Sequence, residues 1–171
     1  LRRIARGGEV LAPGPHDLGI QYVDARDLAH LALDAGEAGR SGPVDTVSPR
    51  GAATMGALLD ACVDVTGSGA ELVWTDPSFV VAQGLEPWGE LPVWMPPDDV
   101  EMYALHTSDV TRALAWGLTI RPLHETVADT WAWVSAIDAA GTAPEPRPGI
   151  GLDPGKEAAA LAVWRAGQDS A

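Results

Sequence analysis

Thr107-Ser108-Asp109-Val110-Thr111-Arg112-Ala113-Leu114-Ala115-Trp116-Gly117-Leu118, followed by Arg121-Pro122-Leu123-His124-Glu125-Thr126-Val127-Ala128-Asp129-Thr130-Trp131-Ala132-Trp133, is the stretch on which the fold of this chain is read. Thr107 or Ser108 has the hydroxyl that caps a helix, and the spacing predicts one running through Ala115. His124-Glu125-Thr126-Val127 opens a second helix, expected to reach about Ile137.

Working upstream, Ile20-Gln21-Tyr22-Val23 is a β-type run, and Asp24 can cap the helix pattern that follows from Ala25 to Asp34. Asp24 and Asp27 are three apart, so both can face one way at the start of that helix. Residues 1–19 read as turns around a short strand at Glu9-Val10-Leu11, and residues 42–47 as a short strand after a turn. Thr54 caps a helix from Met55 to Val65, closed by Gly67. Glu71-Leu72-Val73-Trp74 is a strand, and Asp76-Pro77 begins a helix to Gln83. Residues 84–99 are rich in Pro and Trp and read as a long loop, and Tyr103-Ala104-Leu105 as a short strand. Downstream, residues 141–155 have the composition of a linker, and a last helix covers Lys156 to about Gly167. The chain divides as 1–140, 141–155 and 156–171. Short strands mixed with helices, without regular alternation, give an α+β or irregular α/β class.

With 171 residues there is room for one core and little more. The 14 prolines and 19 glycines fit a loop-rich unit of short elements. A net charge of −13 repels phosphate backbones and anionic headgroups, so neither nucleic acid nor a membrane surface is an expected partner. No apolar run reaches transmembrane length and no signal-peptide pattern opens the chain, so the expected place is the cytoplasm. Leu1 in place of Met reads as a processed or partial chain. Cys62 is the single cysteine, which allows no internal disulfide, and its position in a helix pattern reads as a buried thiol.

The chemistry-bearing residues are sparse. His16, His30, His106 and His124 lack metal-ligand spacing, so no metal is expected. His106 either faces a pocket or is structural. Trp88, Trp94 and Met95 either wall an apolar pocket or pin the loop to the core. Asp98-Asp99 reads as a solvated turn. Gly149-Ile150-Gly151-Leu152-Asp153-Pro154-Gly155-Lys156 misses the dinucleotide spacing. It also misses the phosphate-loop pattern, because Glu157 follows the Lys, so a turn and a helix start are expected there.

Ile20-Gln21-Tyr22-Val23-Asp24-Ala25-Arg26-Asp27-Leu28-Ala29 resembles a strand-plus-helix segment of the extended short-chain dehydrogenase/reductases, the nicotinamide-dependent epimerases, dehydratases and reductases. The opening stretch, 107–133, resembles that family's C-terminal signature. Between them, 42–48 is similar to a family strand, with Asp45 in place of Asn, and Thr54-Met55-Gly56-Ala57-Leu58-Leu59 to the helix after it. Order and spacing agree over roughly residues 1–135.

The resemblance implies a C-terminal substrate-binding lobe with about five or six helices and no complete Rossmann sheet. It implies an N-terminal Rossmann domain elsewhere, carrying the glycine-rich turn and the Tyr-x-x-x-Lys pair. Neither motif occurs here, and Lys156 is the chain's sole lysine. This chain is therefore expected to bind no cofactor and to be inactive alone, with NAD or NADP serving the intact parent. Gln21, Tyr22, Asp24 and Arg26 are expected near the substrate pocket, with Trp88, Trp94 and His106 as further candidates. The family's diphosphate-pairing arginines are absent, since Ile20 and the 96–99 region stand at those places. A small neutral or weakly charged carbonyl or alcohol is thus expected in place of a nucleotide sugar. A surface left by the missing domain would be apolar and open to self-association. The other reading is a non-catalytic binding or protein-interaction module derived from the lobe.

Overall fold

The computed structural model describes residues 1–145, 147 and 149–169. The parts of the linker and of the C-terminal segment at 146, 148, 170 and 171 lie outside the described residues. The architecture is α+β, with small two-stranded sheets among helices.

The chain opens with a short helix, α1 (Arg2–Ala5), and then enters β1 (Glu9–Pro13). Across the core, β1 pairs in parallel with β4 (Glu71–Thr75), Leu11 lying opposite Val73. A parallel pair needs a crossover, which here includes α2 (Ala25–Glu37) and α3 (Met55–Thr66). Val10, Leu11 and Ala12 are almost wholly inaccessible, as expected of a strand covered on both faces. Thr54 caps α3 by accepting from the Ala57 amide, and Gly67, at φ 58°, ends it in the left-handed conformation. Leu59 and Cys62 on α3 and Val127 on α7 (Leu123–Ala139) join the main core with Ile4, Leu11 and Ile20. Burial pushes the Cys62 thiol pKa up. Leu31, Val110, Ala113 and Leu118 form a second, smaller cluster under α2 and α6 (Thr111–Ala115), with Val44 and Val47 packed against it.

α8 (Pro154–Gln168) begins where Asp153 accepts from the Gly155 and Lys156 amides, the helix start expected of the glycine cluster. It lies on the main core through Ala160 and Leu161. Its Glu157 accepts the Leu11 amide at 3.0 Å and the Arg3 guanidinium at 2.8 Å. Gly14 donates to Thr75 on the β4 side, so by strand alternation Leu11 and Pro13 face the opposite edge of β1. Pro13 has no amide there, and Glu157 takes the one that Leu11 offers.

Four expected elements differ. The β-run at 20–23 is a strand only at β2 (Gly19–Ile20), which pairs antiparallel with β3 (Ala53–Thr54). Beyond it, the Gln21 amide donates to His106 Nδ1 and the Tyr22 amide to Ser48 Oγ, so side chains replace a ladder. Residues 42–47 are not a strand, because Gly42 sits at φ 104°, Pro43 lacks an amide, and Arg112 takes the Pro43 carbonyl. Tyr103-Ala104-Leu105 is helical, divided between α5 (Val100–Tyr103) and a 3-10 turn (Ala104–His106), since Asp99 caps the Met102 amide. Finally, α6 starts at Thr111 and not at Ser108. Gln21 holds both backbone groups of Ser108, and Asp109 takes the Thr111 amide. Eight α-helical segments are present among the described residues, more than expected, because several are only four to six residues long. No helix among the described residues is long and apolar enough to cross a membrane.

Candidate functional site

The polar residues singled out in the sequence fall into two internal braces. The first joins the start of α2 to the start of α7. Asp24, 6% exposed, caps the Arg26 amide and takes the Arg26 guanidinium at 2.9 and 2.7 Å and the Thr126 hydroxyl at 2.9 Å. Arg26 reaches Asp129 with its other nitrogen. Asp27, 5% exposed, is held by Arg121 through its amide and guanidinium. The Tyr22 hydroxyl donates to the Arg121 carbonyl at 2.9 Å. The Arg26 hydrogen bonds hold Asp24 well below the usual carboxylate range, and Arg121 lowers Asp27 in the same way. Burial, followed by the Asp27 and Asp24 charges, raises Tyr22.

The second brace ties the 19–24 segment to the 93–108 region. Gln21 donates to the Ser48 and Ser108 carbonyls and accepts the Ser108 amide, which satisfies its whole amide group. His106, 5% exposed, accepts the Gln21 amide at Nδ1 and lies 2.7 Å from the Val93 carbonyl at Nε2. Nδ1 is occupied as an acceptor, so the proton is on Nε2 and is donated to Val93. Val93 sits at φ 71°, which is strained for a β-branched residue, and this hydrogen bond helps hold it there.

Trp94 is fully buried and donates its indole N–H to the Gly14 carbonyl at 2.9 Å, so it pins the loop to the core. Met95 is buried beside it in sequence. Trp88 is 56% exposed, at φ 60°. The structure thus gathers Tyr22, Asp24 and Arg26 in one brace and Gln21 and His106 in the other, while the Trp94 side chain bonds Gly14 and Trp88 is exposed. Arg121 and Asp27 complete the first brace, although the sequence reading gave them no site role. The one sequence signal for them was the Asp24–Asp27 spacing, which predicts two carboxylates on one side.

An open groove of about 780 Å³ lies elsewhere, between α4 (Pro77–Ala82) with its following loop and the segment 96–102. Val81, Leu85, Pro87, Pro96, Val100 and Met102 supply its apolar surface. Glu86, Asp98, Asp99 and Glu101 supply its charge, and no Lys, Arg or His lines it. Along the chain, the Trp94 pin and the His106 hydrogen bonds flank the stretch that carries 96–102. A smaller hollow of about 340 Å³ between α1 and α8 is lined by Arg3, Glu157 and Arg165, among others. Arg3 pairs with Glu157 there, and Arg165 with Glu9. No group of three or more His, Cys, Asp or Glu side chains among the described residues is placed to hold a metal ion.

No protein-family model matches the chain, and neither the curated proteins nor the solved structures compared with it include a match.

Proposed function

We propose that this chain is the small-molecule-binding, substrate-side portion of a nicotinamide-dependent epimerase, dehydratase or reductase of the extended short-chain dehydrogenase/reductase type. The observation that carries the binding half of this reading is the groove between α4 and residues 96–102, whose volume of about 780 Å³ suits a small organic ligand. The parallel β1–β4 pair agrees with it, since parallel strands belong to larger sheets covered on both faces.

In this reading proton transfer belongs to another part of the parent, and the tyrosines and the lysine of this chain are engaged internally. Tyr22 and Tyr103 donate to the backbone carbonyls of Arg121 and Gly19. Lys156 bonds Glu90 and the Gly84 carbonyl. In this reading a Rossmann portion outside the chain brings NAD or NADP, the glycine-rich turn and the Tyr-x-x-x-Lys acid/base pair. This chain holds and orients the substrate and turns nothing over alone. Four groove carboxylates and a net charge of −13 oppose a nucleoside-diphosphate sugar. With one buried, unpaired cysteine, the expected compartment is the cytoplasm.

A second reading is a self-contained, non-catalytic binding or interaction module. One observation favours it: Glu157 of α8 already takes the Leu11 amide on the free edge of β1, where a further strand would otherwise pair. Sequencing the reading frame upstream of the Leu1 codon separates the two. An in-frame glycine-rich turn followed by Tyr-x-x-x-Lys is the expected result. A start codon with neither motif would overturn the first reading in favour of the second.

A further inference from the structure

The groove combines an apolar surface with four carboxylates and no lining cation. Glu86 comes from the α4 side, and Asp98, Asp99 and Glu101 from the other wall. Among the described residues none of the four enters an ion pair, whereas the buried carboxylates of Asp24, Asp27 and Glu157 each face an arginine. Helix capping accounts for Asp99, which takes the Met102 amide, and Glu101 lies in the favourable first turn of α5. Neither explanation extends to Glu86 or Asp98. Lys156 touches the lining at the Gly84 carbonyl, but Glu90 neutralises it at 2.6 Å. The four carboxylates are exposed to solvent, so salt screens their field, but its sign attracts positive charge to the groove and repels anions.

We propose that the groove selects an organic cation, an amine or quaternary ammonium group carried on an apolar body. The body covers Val81, Leu85, Val100 and Met102, while the charged head lies among Glu86, Asp98 and Glu101. This inference rests on the groove being the binding site proposed above, and it adds the charge of the ligand.

The test uses the whole chain, labelled with nitrogen-15, and three compounds with one apolar body: 4-phenylbutylamine, 4-phenylbutanol and 4-phenylbutyrate. The amine should shift the amides of Val81, Leu85, Val100 and Met102. It should bind about tenfold or more tightly than the alcohol at low salt, lose that margin at high salt, and leave the carboxylate weakest. The double variant Glu86→Gln/Asp98→Asn, which changes two groups outside every cap and ion pair, should weaken the amine by about fourfold, roughly twofold per carboxylate, and leave the alcohol unchanged. Equal binding of the three compounds would overturn the charge preference while leaving the groove a binding site. Absence of shifts at the groove amides with every compound would overturn both. An amine whose shifts lie elsewhere, or whose affinity ignores the double variant, would also overturn the inference.

Discussion

Asp27 holds Arg121 from 94 residues away, accepting its backbone amide at 3.0 Å and its guanidinium at 2.9 and 2.6 Å. The contact joins the first turn of α2 to the residue before Pro122, and so fixes where α7 starts against α3. Both partners are largely withdrawn from water. Removing Arg121 would strand Asp27 and take one of the cations from beside Asp24. Arg121→Ala should therefore lower the urea midpoint clearly. Arg26→Ala, at a half-exposed guanidinium that leaves Asp24 with Arg121 and Thr126, should lower it much less. Equal losses would show that the brace has been misassigned.

The same brace predicts an acid limit. Asp24 and Asp27 are depressed by their arginine hydrogen bonds, so their folded values lie below the unfolded value of about 3.9. Between the two values the unfolded state binds more protons, and stability rises with pH through that window. The contribution is complete above about pH 5 and is lost progressively as the pH falls below the unfolded value toward the depressed folded ones. Urea midpoints measured from pH 6 down to 2.5 should fall steeply. The fall should flatten in Asp27→Asn, which has no such charge to lose.

His106 is predicted to work as a two-ended staple. His106→Ala leaves the Gln21 amide and the Val93 carbonyl without their partner and should cost about 1–3 kcal/mol. Nitrogen-15 spectra of the imidazole in the folded chain should show a protonated Nε2 and an unprotonated Nδ1 at neutral pH. The opposite tautomer would mean that the Gln21 amide has another acceptor.

Glu157 links α8 to the edge of β1. In Glu157→Ala the Leu11 amide and the Arg3 guanidinium lose their shared acceptor. Hydrogen exchange at Leu11 and along α8 should accelerate together, with a loss of about 2 kcal/mol. Protection of Leu11 that survives the substitution would show that the edge is closed by something other than α8.

The helices with a cap or a glycine stop were legible residue by residue. Thr54 and Gly67 bound α3, Pro77 starts α4, and Asp24 starts α2 where the side-chain chemistry says they should. What was not legible was set by partners far along the chain. Gln21 and Ser108 belong to different local patterns, yet their reciprocal hydrogen bonds end one strand early and delay one helix. Gly42 and Pro43 left an apolar pattern without a ladder, so Val44 and Val47 pack under α2 and α6 without pairing. Of the candidate site, the Pro- and Trp-rich loop supplies Gly84 to Pro87, Pro96, Asp98 and Asp99 to the groove, whereas Trp88, Trp94 and Met95 do not line it. Its two outcomes, wall and pin, were decided by one hydrogen bond from Trp94 to Gly14. The polar motif at 21–26 named residues that gather in space, but it could not reveal that Arg121 and His106 would complete their valences. The groove has no local signature, because its walls come from two segments whose acidic residues mean little until they face one another.

Titrating the nitrogen-15-labelled chain with NADH and NADPH tests most directly whether it holds the substrate side and not the nucleotide side. Neither dinucleotide should shift its amides up to about millimolar concentration, where binding would be worth only about 4 kcal/mol. Saturable micromolar binding of either one to this chain alone would contradict that division of labour.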